Sequence, residues 1–175
     1  MLRIKKIIIG LMLSICIVFQ GCTYVAYKDY YTKVDDYEKI WSLTGFRHGY
    51  DGVSVFFPQS IEQLNVKTFF CRYDQQIPLG EGVQIILEIH YHNTSDFDIE
   101  VSRLASLGYE CNNYFSETTY KAYATRIDGK PKGSCYSSEY ALTDAENQLV
   151  YYIYLQDVPK NEIEIPIHLL PNTLD

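Results

Sequence analysis

The stretch Val83-Gln84-Ile85-Ile86-Leu87-Glu88-Ile89-His90-Tyr91-His92 decides the class of this fold. Successive side chains on a strand point to opposite faces. Read with that period, Val83, Ile85, Leu87, Ile89 and Tyr91 share one apolar face. Gln84, Ile86, Glu88, His90 and His92 share the other. A helix would scatter the apolar residues around its circumference, so the pattern predicts a strand with one face on a core and the other half-solvated. Upstream, residues 65–73 (NVKTFFCRY) have the β-branched and aromatic content of a second strand, and residues 74–82 supply a connecting loop.

Downstream, the period changes. Asn93, Thr94 and Ser95 offer helix-capping side chains, and Asp96, Asp98 and Glu100 put negative charge where the helix dipole favours it. Phe97, Val101, Leu104 and either Ala105 or Leu107 form the expected buried stripe, with Gly108 as the stop. Strands are predicted over 119–127, 135–142 and 149–156, separated by turn-rich sequence at 128–133 and 144–148. Towards the N-terminus, residues 52–57 read as a short strand ended by Pro58, and 60–64 as a single turn. Before them, Tyr30, Val34, Tyr37 and Trp41 step by four, three and four, opposite Lys33, Asp35, Asp36, Glu38 and Lys39. That predicts an amphipathic helix over 29–45, with Trp41 on its packed face. Pro159, Pro166 and Pro171 leave the tail mostly loop, with 163–170 partly docked.

Short connections imply antiparallel pairing. The expected class is therefore α+β: an antiparallel sheet of about six strands with one or two helices packed on a face. A β-sandwich with a peripheral helix is the alternative. Residues 29–175 read as a single domain, with the helix over 29–45 and a sheet-rich body over 46–175.

The first residues follow a different logic. Arg3, Lys5 and Lys6 precede a run from Ile7 to Phe19 that only Gly10 and Ser14 interrupt. A charged start and a short apolar run, below the roughly 20 residues that span a bilayer, are the order of a secretory signal. The run ends in Val18-Phe19-Gln20-Gly21-Cys22. This resembles the lipobox of bacterial lipoproteins: an apolar residue, a small or polar residue, Gly or Ala, then Cys. Phe19 is bulkier than the usual residue there, and Gln20 is less typical. The resemblance implies that residues 1–21 are removed, that Cys22 carries the lipid, and that 22–28 form a short tether. One acyl chain holds a protein only marginally, so stable anchoring needs two or more. The implied location is the outer face of a bacterial cell membrane. The body resembles no named family, only the small lipoproteins of low-GC bacteria in general style.

Composition narrows the partners. Residues 1–21 hold three of the 15 basic residues and none of the 22 acidic ones, so the rest carries net charge −10. Such a chain is a poor ligand for nucleic acid. All 17 tyrosines follow Cys22. Tyrosine suits half-buried sheet faces and also binding surfaces. Cys71 alternates with Phe69 and Tyr73 and reads as a buried free thiol. Cys111 and Cys135, both near loop-like sequence, are the pair expected to bridge, closing a loop worth on the order of 3 kcal/mol.

Glu88-x-His90-x-His92 is the sharpest candidate site, because residues two apart on a strand point the same way and two imidazoles with a carboxylate suit a metal ion. Residues 46–52 gather Arg47, His48 and Asp51 in a loop, where function concentrates. A G-x-S-x-G elbow is missing, and Gly80-Glu81-Gly82 lacks the rest of a phosphate cradle. Lys130-Pro131-Lys132 reads as an exposed turn. The expected role is a non-catalytic binding or accessory module without a cofactor. It would be held to the membrane by its N-terminal lipid and bind a protein or cell-wall ligand. The alternatives are a structural subunit of an envelope complex and a metal-assisted envelope enzyme using Glu88, His90 and His92.

Overall fold

The computed structural model describes residues 24–43, 54–77, 80–116, 119–127 and 135–172. The strands are β1 (Tyr24–Tyr31), β2 (Asn65–Ile77), β3 (Gly80–His90), β4 (Tyr109–Glu110), β5 (Lys121–Arg126), β6 (Cys135–Asp144) and β7 (Leu149–Pro159). Among the described residues an α-helix, α1 (Thr94–Leu107), joins β3 to β4, and a 3₁₀ helix (Val34–Ser42) follows β1. All seven strands form one open antiparallel sheet in the order β1-β2-β3-β7-β6-β5-β4. The class is α+β, with seven strands rather than six, and the single sheet replaces the sandwich alternative.

α1 matches its expected span. Asn93 caps it by accepting the Asp96 amide at 2.9 Å. Phe97 and Leu104 are buried in the core, Val101 packs at its margin, and Leu107 and Ala105 lie exposed. Gly108 ends the helix in an extended conformation, so its role is spatial. A Cβ there would lie 2.5 Å from the Phe56 ring and 2.6 Å from the Ala124 carbonyl oxygen.

The helix expected over 29–45 and the tether over 22–28 are both corrected. Tyr24 to Tyr31 pair with β2 instead, ending with Tyr31 opposite Cys71. The helix that follows is 3₁₀, nine residues long, where such helices usually run three or four. Its apolar residues explain the choice. Val34, Tyr37, Ile40 and Leu43 recur every three residues, the 3₁₀ period, and the last three are buried. Residues 55–57, expected to end a strand, form bends.

Each face of the sheet carries its own core. On one face Phe69, Cys71, Val83, Ile85, Leu87, Ile89 and Tyr152 meet α1, the 3₁₀ helix and Phe56, Phe57 and Ile61. On the other, Ile86, Tyr140, Leu142, Ile153 and Leu155 meet Cys111, Phe115 and the C-terminal segment through Val158, Ile165 and Leu169. The face of β3 expected to be half-solvated is covered at Gln84 and Ile86, while Glu88 and His90 stay partly exposed. The covering segment crosses β3 and is fastened by side chains. The Gln84 amide donates to the Glu162 carbonyl at 3.0 Å and accepts the Glu164 amide at 2.8 Å, imitating a strand pairing. We call residues 160–170 the strap.

Tyrosine is largely a packing residue here. Tyr37, Tyr123, Tyr140, Tyr152 and Tyr154 are buried, and burial raises Tyr140 and Tyr152 well above the ordinary phenol range. Tyr30 and Tyr109 lie about half exposed.

Candidate functional site

The 3₁₀ geometry sorts the charges beside its apolar row. Side chains three apart eclipse in this helix. Asp36 and Lys39 form one row and neutralise each other at 2.7 Å. Asp35 and Glu38 form another row, and both are exposed. Across from them runs the turn that leads into β2, where Ser60, Ile61, Glu62 and Leu64 form an opposing wall. The two walls enclose a cleft of about 400 Å³, lined also by Val34 and Tyr37. Val34, the first member of the apolar row, stays 43% exposed among the lining residues, whereas Tyr37 and Ile61 are buried.

The cleft walls are held firmly. The buried Tyr37 hydroxyl donates to the Pro58 carbonyl, joining the helix to the opposing segment, and burial pushes its pKa far up. The segment that leads to Pro58 is gripped by side chains from two other elements. The buried Glu139 carboxylate of β6 accepts the amides of Val55 at 3.0 Å and Phe56 at 3.2 Å, together with the Ser54 hydroxyl. Its second oxygen accepts the Thr125 hydroxyl at 2.7 Å. From α1, Arg103 donates to the carbonyls of Val55 at 3.2 Å and Phe56 at 2.5 Å. Glu100 holds Arg103 at 2.6 Å and also accepts the Tyr152 hydroxyl at 2.7 Å. An irregular segment with few backbone partners of its own is thereby fixed by one acid and one base. Arg103, Glu139 and Tyr37 carry no sequence signal for this, because their partners are backbone groups far away in the chain.

A second buried charge cluster lies on the strap side. Arg72 contacts Asp74 at 2.6 Å and Glu164 at 2.6 Å, also pairs with Glu162, and donates to the Glu162 carbonyl at 3.1 Å. Burial opposes the Arg72 charge, and hydrogen bonds to Asp74, Glu162 and Glu164 outweigh it, so its pKa rises. The hydrogen bond from Arg72 holds Glu162 below the usual carboxylate range.

The residues expected to bind metal do not converge. Glu88 accepts the Thr68 hydroxyl at 2.8 Å on the strap side. β3 ends at His90, opposite Asn65 and Leu149, so strand alternation stops before His92, which lies exposed in the turn to α1. Among the described residues, no group of three His, Cys, Asp or Glu side chains is placed to hold a metal ion. Glu88, His90 and His92 are thus not brought together as one ligand set.

The expected Cys111–Cys135 bridge is corrected too. Cys71 and Cys111 are both free and buried. The Cys111 amide bonds to the Ala122 carbonyl, and Ala122 pairs with Leu142. Cys135 stands seven residues from Leu142 along β6, roughly 20 Å at strand rise. Bridged cysteines need Cα atoms within about 7 Å. Burial raises the Cys111 thiol to about 12 and pushes Cys71 higher still. The side chain of Cys135 lies outside the described residues. So do Cys22, the loop bearing Arg47, His48 and Asp51, and the turn bearing Lys130 and Lys132.

No family model matches this chain, and neither a curated protein nor a solved structure does. The functional reading therefore stands on the residues and their geometry.

Proposed function

We propose that this protein is a lipid-anchored module on the outer face of a bacterial membrane, acting by binding, with the cleft beside the 3₁₀ helix as its binding surface. The observation that carries the anchor is Gly21-Cys22 at the end of a 13-residue apolar run behind Arg3, Lys5 and Lys6. Among the described residues no helix is long and apolar enough to cross a membrane. Attachment through Cys22 needs none.

The fold supports presentation of the cleft away from the anchor. β1 begins at Tyr24, two residues after Cys22, and its eight residues extend about 26 Å at strand rise. In chain order β1 follows the proposed anchor directly, and the 3₁₀ helix begins after its other end. Binding is favoured over catalysis by what the buried ionisable groups do. Glu139, Arg103 and Glu100 hold the segment at residues 54–58, and Arg72 and Asp74 hold the strap.

The test is Cys22→Ala in the full chain, expressed in a bacterium with a lipoprotein pathway and labelled with radioactive palmitate. The native chain should sediment with membranes and take up label. The Cys22→Ala chain should take up none and leave the membrane fraction after a salt wash. Label retained by Cys22→Ala, or unchanged sedimentation, would overturn the anchor.

A further inference from the structure

We infer that the cleft takes a cationic peptide segment, seating an apolar side chain on Val34, Ile61 and Leu64 with basic groups on Asp35, Glu38 and Glu62. This rests on the binding reading above and names the chemistry of its partner.

The cleft is of mixed polarity, with Val34 as its exposed apolar patch and carboxylates on its rim. Val34 is a large apolar side chain left 43% exposed beside buried Tyr37 and Ile61. A partner that covers it gains the apolar area the fold leaves in water. About 400 Å³ lies within the range of sites that hold small ligands or a few side chains. The rim is where specificity arises. Asp35, Glu38 and Glu62 are exposed, and none of them forms an ion pair with a described residue. Lys39 is taken by Asp36, and exposed Lys33, which caps the helix beside Val34, is a single cation against three carboxylates.

The alternatives fit less well. Phosphate groups, whether of nucleic acid or lipid, would face three carboxylates. A bare metal ion needs converging ligands, which the described residues do not supply. A small polyamine would satisfy the rim and leave Val34 in water. A peptide that alternates basic and apolar residues satisfies both. The excess of acidic residues over the whole chain, 22 against 15, favours encounter with such a partner.

The experiment titrates the full chain, purified in a neutral detergent, against the fluorescent peptide lysine-leucine-lysine-leucine-lysine and follows anisotropy. Parallel titrations use the same peptide with glycine for leucine, with glutamate for lysine, and spermine as competitor. The leucine–lysine peptide should bind, more weakly as salt rises. Glycine or glutamate versions should bind several-fold less or not at all, and spermine should compete poorly. Asp35→Asn/Glu38→Gln/Glu62→Gln removes three exposed charge contacts and should weaken binding on the order of tenfold. Val34→Ser should weaken it several-fold, and Glu146→Gln, in the β6–β7 turn, should leave it unchanged. All these side chains are exposed, so circular dichroism should confirm an intact fold. The inference is overturned if the peptide does not bind, if the triple variant binds as the native chain does, or if spermine competes as well as the peptide. Should the peptide fail while Cys22→Ala still releases the chain, the cleft chemistry is wrong and the anchored module stands. Should peptide binding hold while Cys22→Ala stays membrane-bound, the anchor is wrong and the cleft stands.

Discussion

Replacing Arg72 by Met keeps an unbranched stem and removes a charge whose side chain is 4% exposed. Its partners differ in what they then lose. Glu162 and Glu164 have side chains 29% and 41% exposed and can turn to water, so their pairs contribute little by themselves. Asp74 has a side chain 5% exposed and cannot. Left without its cation it is a buried, unpaired carboxylate, a change that costs about 3–5 kcal/mol. With a urea dependence of about 2 kcal/mol per molar, the unfolding midpoint should fall by about 1.5–2.5 M. Trp41, the single tryptophan, reports unfolding from the opposite face of the sheet, so the shift it reads is global. Adding Asp74→Asn to Arg72→Met removes the stranded charge and should restore at least half of the loss. The strap should also become open to proteolysis near Lys160 in Arg72→Met. A midpoint shift below about 0.5 M would refute the reasoning. So would a double variant as unstable as the single one, since the cost would then not come from Asp74.

Glu139→Leu deprives the amides of Val55 and Phe56 of their acceptor, and one buried and one part-buried donor left stranded should cost about 2–4 kcal/mol in a thermal or urea melt. Glu139→Gln keeps an oxygen for both amides and should cost less than half as much; equal losses would mean that charge, not hydrogen bonding, holds the segment. The Arg72 hydrogen bond depresses the Glu162 pKa below its ordinary 4.5, so its contribution is full above that value and disappears as pH falls through the lower native value. The stability difference between the native chain and Glu162→Gln should therefore be constant from neutral pH to about 5 and vanish in stronger acid; a difference that grows on acidification would contradict the depressed value. Cys71 and Cys111, buried and protonated at neutral pH, should react with a thiol reagent only in denaturant, as located by peptide mass mapping. Native-state labelling of either would contradict their burial.

Much of the sheet was legible because a strand writes its own period into the chain. The alternation at 83–90 marked β3, and Asn93, Phe97, Leu104 and Gly108 marked both ends and one face of α1. The strands β5, β6 and β7 fell within a few residues of their expected spans. The N-terminal region misled for a physical reason. Val34, Tyr37 and Trp41 fit an α-helical stripe, yet Val34, Tyr37, Ile40 and Leu43 fit a 3₁₀ row equally well over so short a span. Packing chose between them: Ile40 is fully buried, whereas Trp41 sits at the margin of the core. Tyr24 to Tyr31 carry no alternation that distinguishes an edge strand from a tether, and only the exposed edge of β2 makes them one.

The candidate site divides in the same way. The pattern behind the proposed anchor, Ile7 to Cys22, is contiguous in the chain and so is legible without a structure. The cleft is not contiguous. Its walls come from residues 34–38 and 60–64, and its rigidity from Glu139 and Arg103. What the amino-acid sequence determined alone was local: which stretches alternate, where a helix begins and stops, and how acidic the chain is. The tertiary structure decided strand order, the second core under the strap, the buried pairing of Arg72 with Asp74, and the separation of Cys111 from Cys135. Local periodicity follows from backbone geometry within a few residues. Pairing across 80 or more residues, as between Gln84 and Glu164, depends on which distant surfaces exclude water together, and no window of sequence holds both sides.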